Sequence, residues 1–153
     1  MTNPLGVIDR LVMATNAHDL DALLACFDDD YVNETPAHPL RGFRGREQVR
    51  QNWTALFAGV PDIEVRVTAS ARNGNEVWSE WRMDGTRREG ALHAMTGVII
   101  FGVADDRISS ARFYLEPVET RTGDVSAALG RTLSERASCS WLPAAPGCSA
   151  ATS

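Results

Sequence analysis

Apolar residues recur with a period of about 3.6 in the first third of the chain and with a period of two in its middle, so helices come first and strands follow. Val7, Ile8, Leu11 and Val12 mark one helix, and Leu20, Leu23, Leu24 and Phe27 mark a second. Asp19 stands where its carboxylate can cap the first turn of that second helix. Asp28-Asp29-Asp30 reads as a charged turn that closes it. Tyr31 to Glu34 forms a short strand, and Thr35 to Gly45, with two prolines and two glycines, forms a loop placed to border a pocket. Arg46 to Ala58 predicts a third helix with Val49, Trp53, Leu56 and Phe57 on one face. Gly59 follows its end, and Pro61 prevents its continuation.

From Ile63 the pattern alternates: Ile63, Val65, Val67 and Ala69 against Glu64, Arg66 and Thr68. Asn73-Gly74 is a hairpin signal, because the favoured two-residue turn needs positive φ at both central positions. A second strand runs from Glu76 to Asp84 and a long apolar third from Ala91 to Val103. Asp105-Asp106 makes a turn, and Ile108 to Glu116 makes a last strand before Pro117. The expected class is α+β, with N-terminal helices followed by an antiparallel meander. One domain is expected over residues 1–119. In the extension, 120–153, Val125, Leu129 and Leu133 give Asp124 to Ala137 a weak helical stripe. Ser138 to Ser153 has the composition of a mobile tail, in which Trp141 either docks over the pocket mouth or hangs free.

Composition narrows the function. With 153 residues and 44% hydrophobic content there is material for one core. Twenty acidic against fifteen basic side chains, a net charge of -5, oppose binding to nucleic acid or to an anionic membrane. The N-terminal residues carry no basic run, so no signal peptide or membrane span is expected. Cys26, Cys139 and Cys148 lack C-x-x-C spacing, which fits free thiols and a cytoplasmic location. His18, His38 and His93 are scattered with no helix or turn ligand spacing, so no metal site is expected.

Candidate chemistry lies on the second strand of the meander. Trp78, Glu80, Arg82 and Asp84 share one face, and Val77, Ser79, Trp81 and Met83 share the other. If the charged face lies under the helices, Arg82 holds and tunes the Asp84 carboxyl as a general acid; if it faces water, the same residues are a charged exterior. Asp84-Gly85 also has the composition of a turn. Tyr31 and Asn33 share a face and can hold a water or a carbonyl oxygen, or else are a buried tyrosine and a turn asparagine. Glu34 points the other way in a regular strand, but a bend before Pro36 would bring it inward. His93 titrates in the range suited to proton transfer, and His38 in the loop is a weaker candidate. Trp53, Trp78, Glu80 and Phe113 are the expected substrate contacts.

These residues and the order of elements resemble the nuclear transport factor 2-like superfamily, in particular SnoaL-like polyketide cyclases and limonene epoxide hydrolases. The resemblance covers about residues 5 to 119. It is carried by Ala25-Cys26-Phe27-Asp28-Asp29-Asp30-Tyr31-Val32-Asn33, by Arg44-Gly45-Arg46-Glu47-Gln48-Val49, and by Asp106-Arg107-Ile108-Ser109-Ser110-Ala111-Arg112-Phe113-Tyr114-Leu115-Glu116. It implies a cone-shaped, strongly curved, mostly antiparallel sheet wrapped by the N-terminal helices, a cystatin-like α+β roll. One hydrophobic pocket for a small lipophilic molecule and a homodimer are implied with it.

In limonene epoxide hydrolases a tyrosine and an asparagine two apart help an aspartate hold the attacking water, and an arginine and a second aspartate two apart supply the acid. Tyr31, Asn33, Arg82 and Asp84 match four of these five, while Phe113 stands at the place of the base, so that Glu34, Glu80 or His93 would have to replace it. Glu34 also resembles the proton-abstracting position of ketosteroid isomerases, with a protonated Asp84 as oxyanion partner. The expectation is a cofactor-independent acid–base enzyme that opens epoxides. A SnoaL-like cyclase or an isomerase using Glu34 or His93 as base is the alternative, and a non-catalytic ligand-binding or dimerisation module the third reading.

Overall fold

The computed structural model describes residues 3–120 and 123–134. Three helices come first: α1 Pro4–Asn16, α2 Leu20–Ala25 and, after β1 Phe27–Glu34 and β2 Phe43–Arg44, α3 Arg46–Gly59. A short 3-10 turn, Pro39–Arg41, lies between β1 and β2. The meander follows as β3 Glu64–Asn73, β4 Glu76–Thr86, β5 Leu92–Ala104 and β6 Arg107–Pro117, and the last described helix is α4 Val125–Ser134.

The six strands form one sheet in the order β2-β1-β6-β5-β4-β3. All neighbours are antiparallel except β1 and β6, which run parallel. The sheet is open and curved, with helices against one face, as expected of the α+β class. Val7, Ile8, Leu11 and Ala14 of α1 are buried, and Asn16 ties the helix end to β3 by exchanging two hydrogen bonds with the Val65 backbone, 2.8 and 2.9 Å. Asp19 caps α2 by accepting from the Ala22 N–H at 3.1 Å.

Register sorts the sheet into two faces. Val77, Ser79, Trp81 and Met83 of β4 stand opposite Phe101, Ile99, Gly97 and Met95 of β5, and Ile99 and Phe101 stand opposite Phe113 and Ala111 of β6. Directly opposed residues share a face, so this whole set lies under the helices, and nearly all of it is buried. A polar chain inside it is fully satisfied: Trp81 Nε1 donates to Ser79 Oγ at 2.8 Å, and Ser79 Oγ donates to the Ile99 carbonyl at 2.7 Å.

The local expectations fail at two places. Asp28-Asp29-Asp30 is not a turn but the first half of β1. The strand starts at Phe27, which is buried; Asp28 is half-buried and Asp29 and Asp30 are exposed, with Asp29 reaching Arg46 at 2.6 Å. A register shift between Phe27 and Val32 accommodates this stretch against β6. The segment 35–45 also contains β2, which pairs Phe43 with Asn33 and Arg44 with Val32. Gly45 follows at φ 101, a conformation that a side chain disfavours, and turns the chain into α3 while its N–H donates to the Tyr31 carbonyl at 2.7 Å. Within the extension, α4 accounts for the expected stripe; residues 135–153, with Trp141, Cys139 and Cys148, lie outside the described residues.

Candidate ligand pocket

The concave face of the sheet and α3 enclose a cavity of about 40 Å³ lined by Phe27, Tyr31, Asn33, Phe43, Val49, Asn52, Trp53, Leu56, Met83 and Phe113. Such a space holds a few water molecules at most. A cleft that buries a drug-sized ligand is about 300–1,000 Å³. A larger ligand requires side chains to move, and of the lining residues Phe43, Asn52, Trp53 and Phe113 are the half-buried ones.

β1 supplies the polar wall. Strand alternation turns Tyr31 and Asn33 inward together, and the Tyr31 hydroxyl donates to Asn33 Oδ1 at 2.9 Å. Tyr31 is 1% and Asn33 5% exposed. The tyrosine ring stands edge-on to Phe27, 4.8 Å between centroids, and tilted to Phe43 at 5.9 Å, so its hydroxyl has a defined direction. Burial pushes the phenol far above its ordinary pKa, and it remains a neutral donor. Across the cavity α3 supplies Asn52, whose Oδ1 accepts from Gln48 Nε2 at 2.8 Å one helical turn earlier.

Four of the expected site residues therefore line the cavity: Tyr31, Asn33, Trp53 and Phe113. The expectation that Arg82 and Asp84 form its acid must be corrected. Both lie on the convex face of β4 with Trp78 and Glu80, because Trp81 and Met83 take the inward positions. The reason is energetic: turning Trp81 and Met83 inward removes large apolar area from water, whereas turning the charged pair inward would desolvate two ions. Arg82 grips Asp84 by three hydrogen bonds of 2.8 to 3.0 Å, with side chains 31% and 50% exposed. The guanidinium holds the Asp84 carboxyl below its ordinary range, so Asp84 is ionised near neutral pH and has no proton to give.

Glu80 is exposed and accepts from Thr68 Oγ1 at 2.6 Å, and Trp78 is 44% exposed. Glu34 is also outward and exposed; it pairs in register with Arg112 on that same face, and no bend brings it inward. His38 sits 3.5 Å from Glu116, outside the cavity lining. His93 is on the concave side of β5, 3% exposed, two residues before Met95, which stands opposite the pocket residue Met83. It does not line the cavity itself. Burial lowers its pKa, with nearby Arg87 in the same direction and Asp84 opposing, so the ring is neutral at pH 7.

Asn52 and Met83 were not anticipated as pocket residues. Asn52 had a sequence signal: with Gln48 it forms an i,i+4 amide pair beside the Val49, Trp53 and Leu56 stripe. Among the described residues no group of three or more His, Cys, Asp or Glu is placed to hold a metal ion, and no helix is long and apolar enough to cross a membrane.

A curved six-stranded sheet with helices on its concave face and a pocket between them defines the cystatin-like, nuclear transport factor 2-like class of fold. Within it, the SnoaL-like domain profile matches residues 8–111, and the chain belongs to that family. Solved structures agree on the fold. IdmH from Streptomyces antibioticus, described as a candidate polyketide cyclase, superposes with a TM-score of 0.66 at 24% identity, covering 74% of this chain and 92% of its own. A limonene epoxide hydrolase-like epoxide hydrolase of Mycobacterium tuberculosis gives 0.64 at 20%, covering 74% and 82%. Rv0760c of the same organism, in complex with estradiol-17β-hemisuccinate, gives 0.65 at 20%, covering 74% and 94%. No curated protein sequence matches the chain.

Proposed function

We propose that this chain binds a small lipophilic molecule inside the cone and recognises it with neutral hydrogen-bonding groups. The observation that carries this reading is the cavity wall itself: seven apolar side chains, two amides and a phenol that stays protonated, with no carboxylate, cation or imidazole among them. Epoxide opening by an acid and a base needs ionisable groups at the reacting oxygen and at the attacking water. The Arg82–Asp84 pair, on the other side of its strand, offers neither. The bound steroid ester of Rv0760c supports the ligand class by analogy of fold.

One observation favours a second reading, a proton-transfer enzyme of the cyclase or isomerase type. His93 is buried, neutral at pH 7 and on the pocket side of the sheet, the state a general base requires. Widening of the cavity past Met83 would bring a substrate towards it. Both readings are tested by one experiment: binding and turnover of lipophilic epoxides, ketones and polyketide-like β-dicarbonyl compounds by the purified protein and by His93→Gln. Binding without turnover supports recognition alone; product formation lost in His93→Gln supports the second reading; His93-independent epoxide hydrolysis overturns both.

The convex face supports a homodimer. Trp78 and Tyr114 are exposed there on β4 and β6, with the half-buried Val98 and the buried Ile100 of β5 between them and Glu80, Arg82, Asp84, Glu76 and Arg112 around them. A strip with both charge signs at its rim can pair with its own two-fold copy.

A further inference from the structure

The last described helix, α4, carries an unburied apolar stripe. Val125, Leu129 and Leu133 recur every fourth residue on one side of it and are 75%, 57% and 87% exposed. No residue of α4 is buried. The helix has 10 residues, fewer than the roughly 12–15 that make even a good helix former marginal in water, and Gly130 in its interior weakens it further. Helices of this length draw their stability from packing an amphipathic face against something else. The stripe therefore calls for a partner.

Charge says which partner fits. Asp124 and Arg131 are seven apart, two helical turns, so they share one flank of the stripe, next to the small Ala128. Asp124 caps the helix, its Oδ1 accepting from the Ala127 N–H at 2.8 Å, and no cation reaches it among the described residues. The Arg131 guanidinium lies beside Gly123 rather than on a carboxylate, and its Nε is buried without a hydrogen-bond partner. Two copies of α4 laid antiparallel about a two-fold axis at Leu129 set Leu129 on Leu129 and Val125 on Leu133. Like flanks then face each other, so Asp124 of each copy meets Arg131 of the other, offset by three residues or about 4.5 Å along the axis. The helix dipoles also oppose. A parallel pair would set Asp124 against Asp124 and Arg131 against Arg131. An anionic membrane is a poor partner for a helix with one arginine in a chain of net charge -5.

We propose that α4 is a self-association helix whose partner is α4 of a second copy of this chain, packed antiparallel with Leu129 at the two-fold axis and Asp124–Arg131 pairs at both ends. The contact is isologous and therefore closes at two copies. It is separate from the pocket and from the convex face of the sheet, and depends on neither. Two ten-residue helices cover less than the about 800 Å² a side of a standard interface, so the pair is weak and reversible.

Disulfide trapping captures a weak pair and reads its direction. The full chain carries Cys139→Ser and Cys148→Ser, and Cys26 is buried, so an introduced thiol is the accessible one. Under mild oxidation Leu129→Cys is expected to link to itself, and Val125→Cys to link to Leu133→Cys in a mixture of the two but neither to itself. Ala127→Cys, on the opposite side of the helix, should stay unlinked. All these positions lie outside residues 8–111 of the SnoaL-like match, so the cone folds in each variant. Sedimentation equilibrium gives the second readout, in a Trp78→Glu, Tyr114→Glu background that removes any convex-face contact. There Leu129→Glu should raise the dimer dissociation constant at least about tenfold, and Arg131→Glu should raise it by less, with the difference fading at high salt. Self-linked Val125→Cys and Leu133→Cys without the mixed product overturns the antiparallel pair. Equal linking of Ala127→Cys and Leu129→Cys, or no linking at any position, overturns α4 as the contact and leaves the convex face standing.

Discussion

Met83 faces the cavity and its neighbour Asp84 faces away from it, held by Arg82 on the opposite side of the same strand. That single alternation separates the Arg82–Asp84 motif from the cavity between the sheet and α3. Asp84→Asn should leave ligand binding in the cone unchanged. Its stability cost should be below about 1 kcal/mol and should shrink further at high salt, since the pair is partly exposed and screened. Urea unfolding at low and high salt, beside a ligand titration, checks both parts; a loss of binding would return Asp84 to the site.

Tyr31→Phe keeps the ring and removes the hydroxyl that Asn33 Oδ1 accepts. A buried acceptor without its donor costs about 1–3 kcal/mol, and the freed amide can rotate. The variant should unfold at correspondingly lower urea and lose part of its selectivity among oxygenated ligands, whereas a surface tyrosine such as Tyr114 should show neither effect.

The pH dependence of stability should carry a histidine component. His93 has its pKa lowered in the folded state, so between that value and the unfolded value of about 6.5 the unfolded chain binds the extra proton. Stability from this group is therefore full above about pH 6.5 and declines as pH falls through the folded pKa. His93→Gln should flatten the pH 7 to 5 limb of an unfolding-midpoint profile. An unaltered slope would mean that His93 is not desolvated.

Gly97 sits at φ 148 on β5 with the β6 backbone pressed against it, and a Cβ there would fall on the Tyr114 carbonyl oxygen. Gly97→Ala is expected to destabilise by more than about 3 kcal/mol, read as a collapse of the thermal transition. A mild effect would show that β5 and β6 can separate locally at this point.

If the Trp78 and Tyr114 strip is an interface between copies, Trp78→Glu with Tyr114→Glu should convert a dimer in analytical ultracentrifugation to a monomer of unchanged circular dichroism. A monomeric wild type at micromolar concentration would remove the homodimer from the account.

Much of the architecture was legible because it follows from periodicity. The switch from a 3.6 to a two-residue repeat marks α1 to α3 and β3 to β6, Asn73-Gly74 marks the hairpin, and Asp19 marks the start of α2. Alternation also separated the two faces of β4 correctly. Which of them points inward depends on tertiary packing, and the chemical appeal of Arg82 and Asp84 ran against the larger apolar area of Trp81 and Met83. The triad Asp28-Asp29-Asp30 misled for a related reason: charge density suggests a turn, but one exposed edge of β1 tolerates it while Phe27 and Tyr31 anchor the strand. Tyr31 and Asn33 were legible as a pair because two residues on one strand share a face whatever that strand packs against. The place of Asn52 on the cavity wall depends on which face of α3 packs towards the sheet and emerges only with α3 in place.

The parallel pairing of β1 with β6 gives the pocket a place in time. Tyr31 and Phe113 line one cavity, yet nearly the whole meander separates them in the chain, and β1 has no inner neighbour in the sheet until β6 exists. Contacts of such long sequence separation form late and slowly. On a ribosome the helices and β3 to β5 emerge before the cavity can close, so the ability to hold a ligand arrives with the final strand. A molecule that binds there selects chains that have finished folding and, by mass action, keeps them folded.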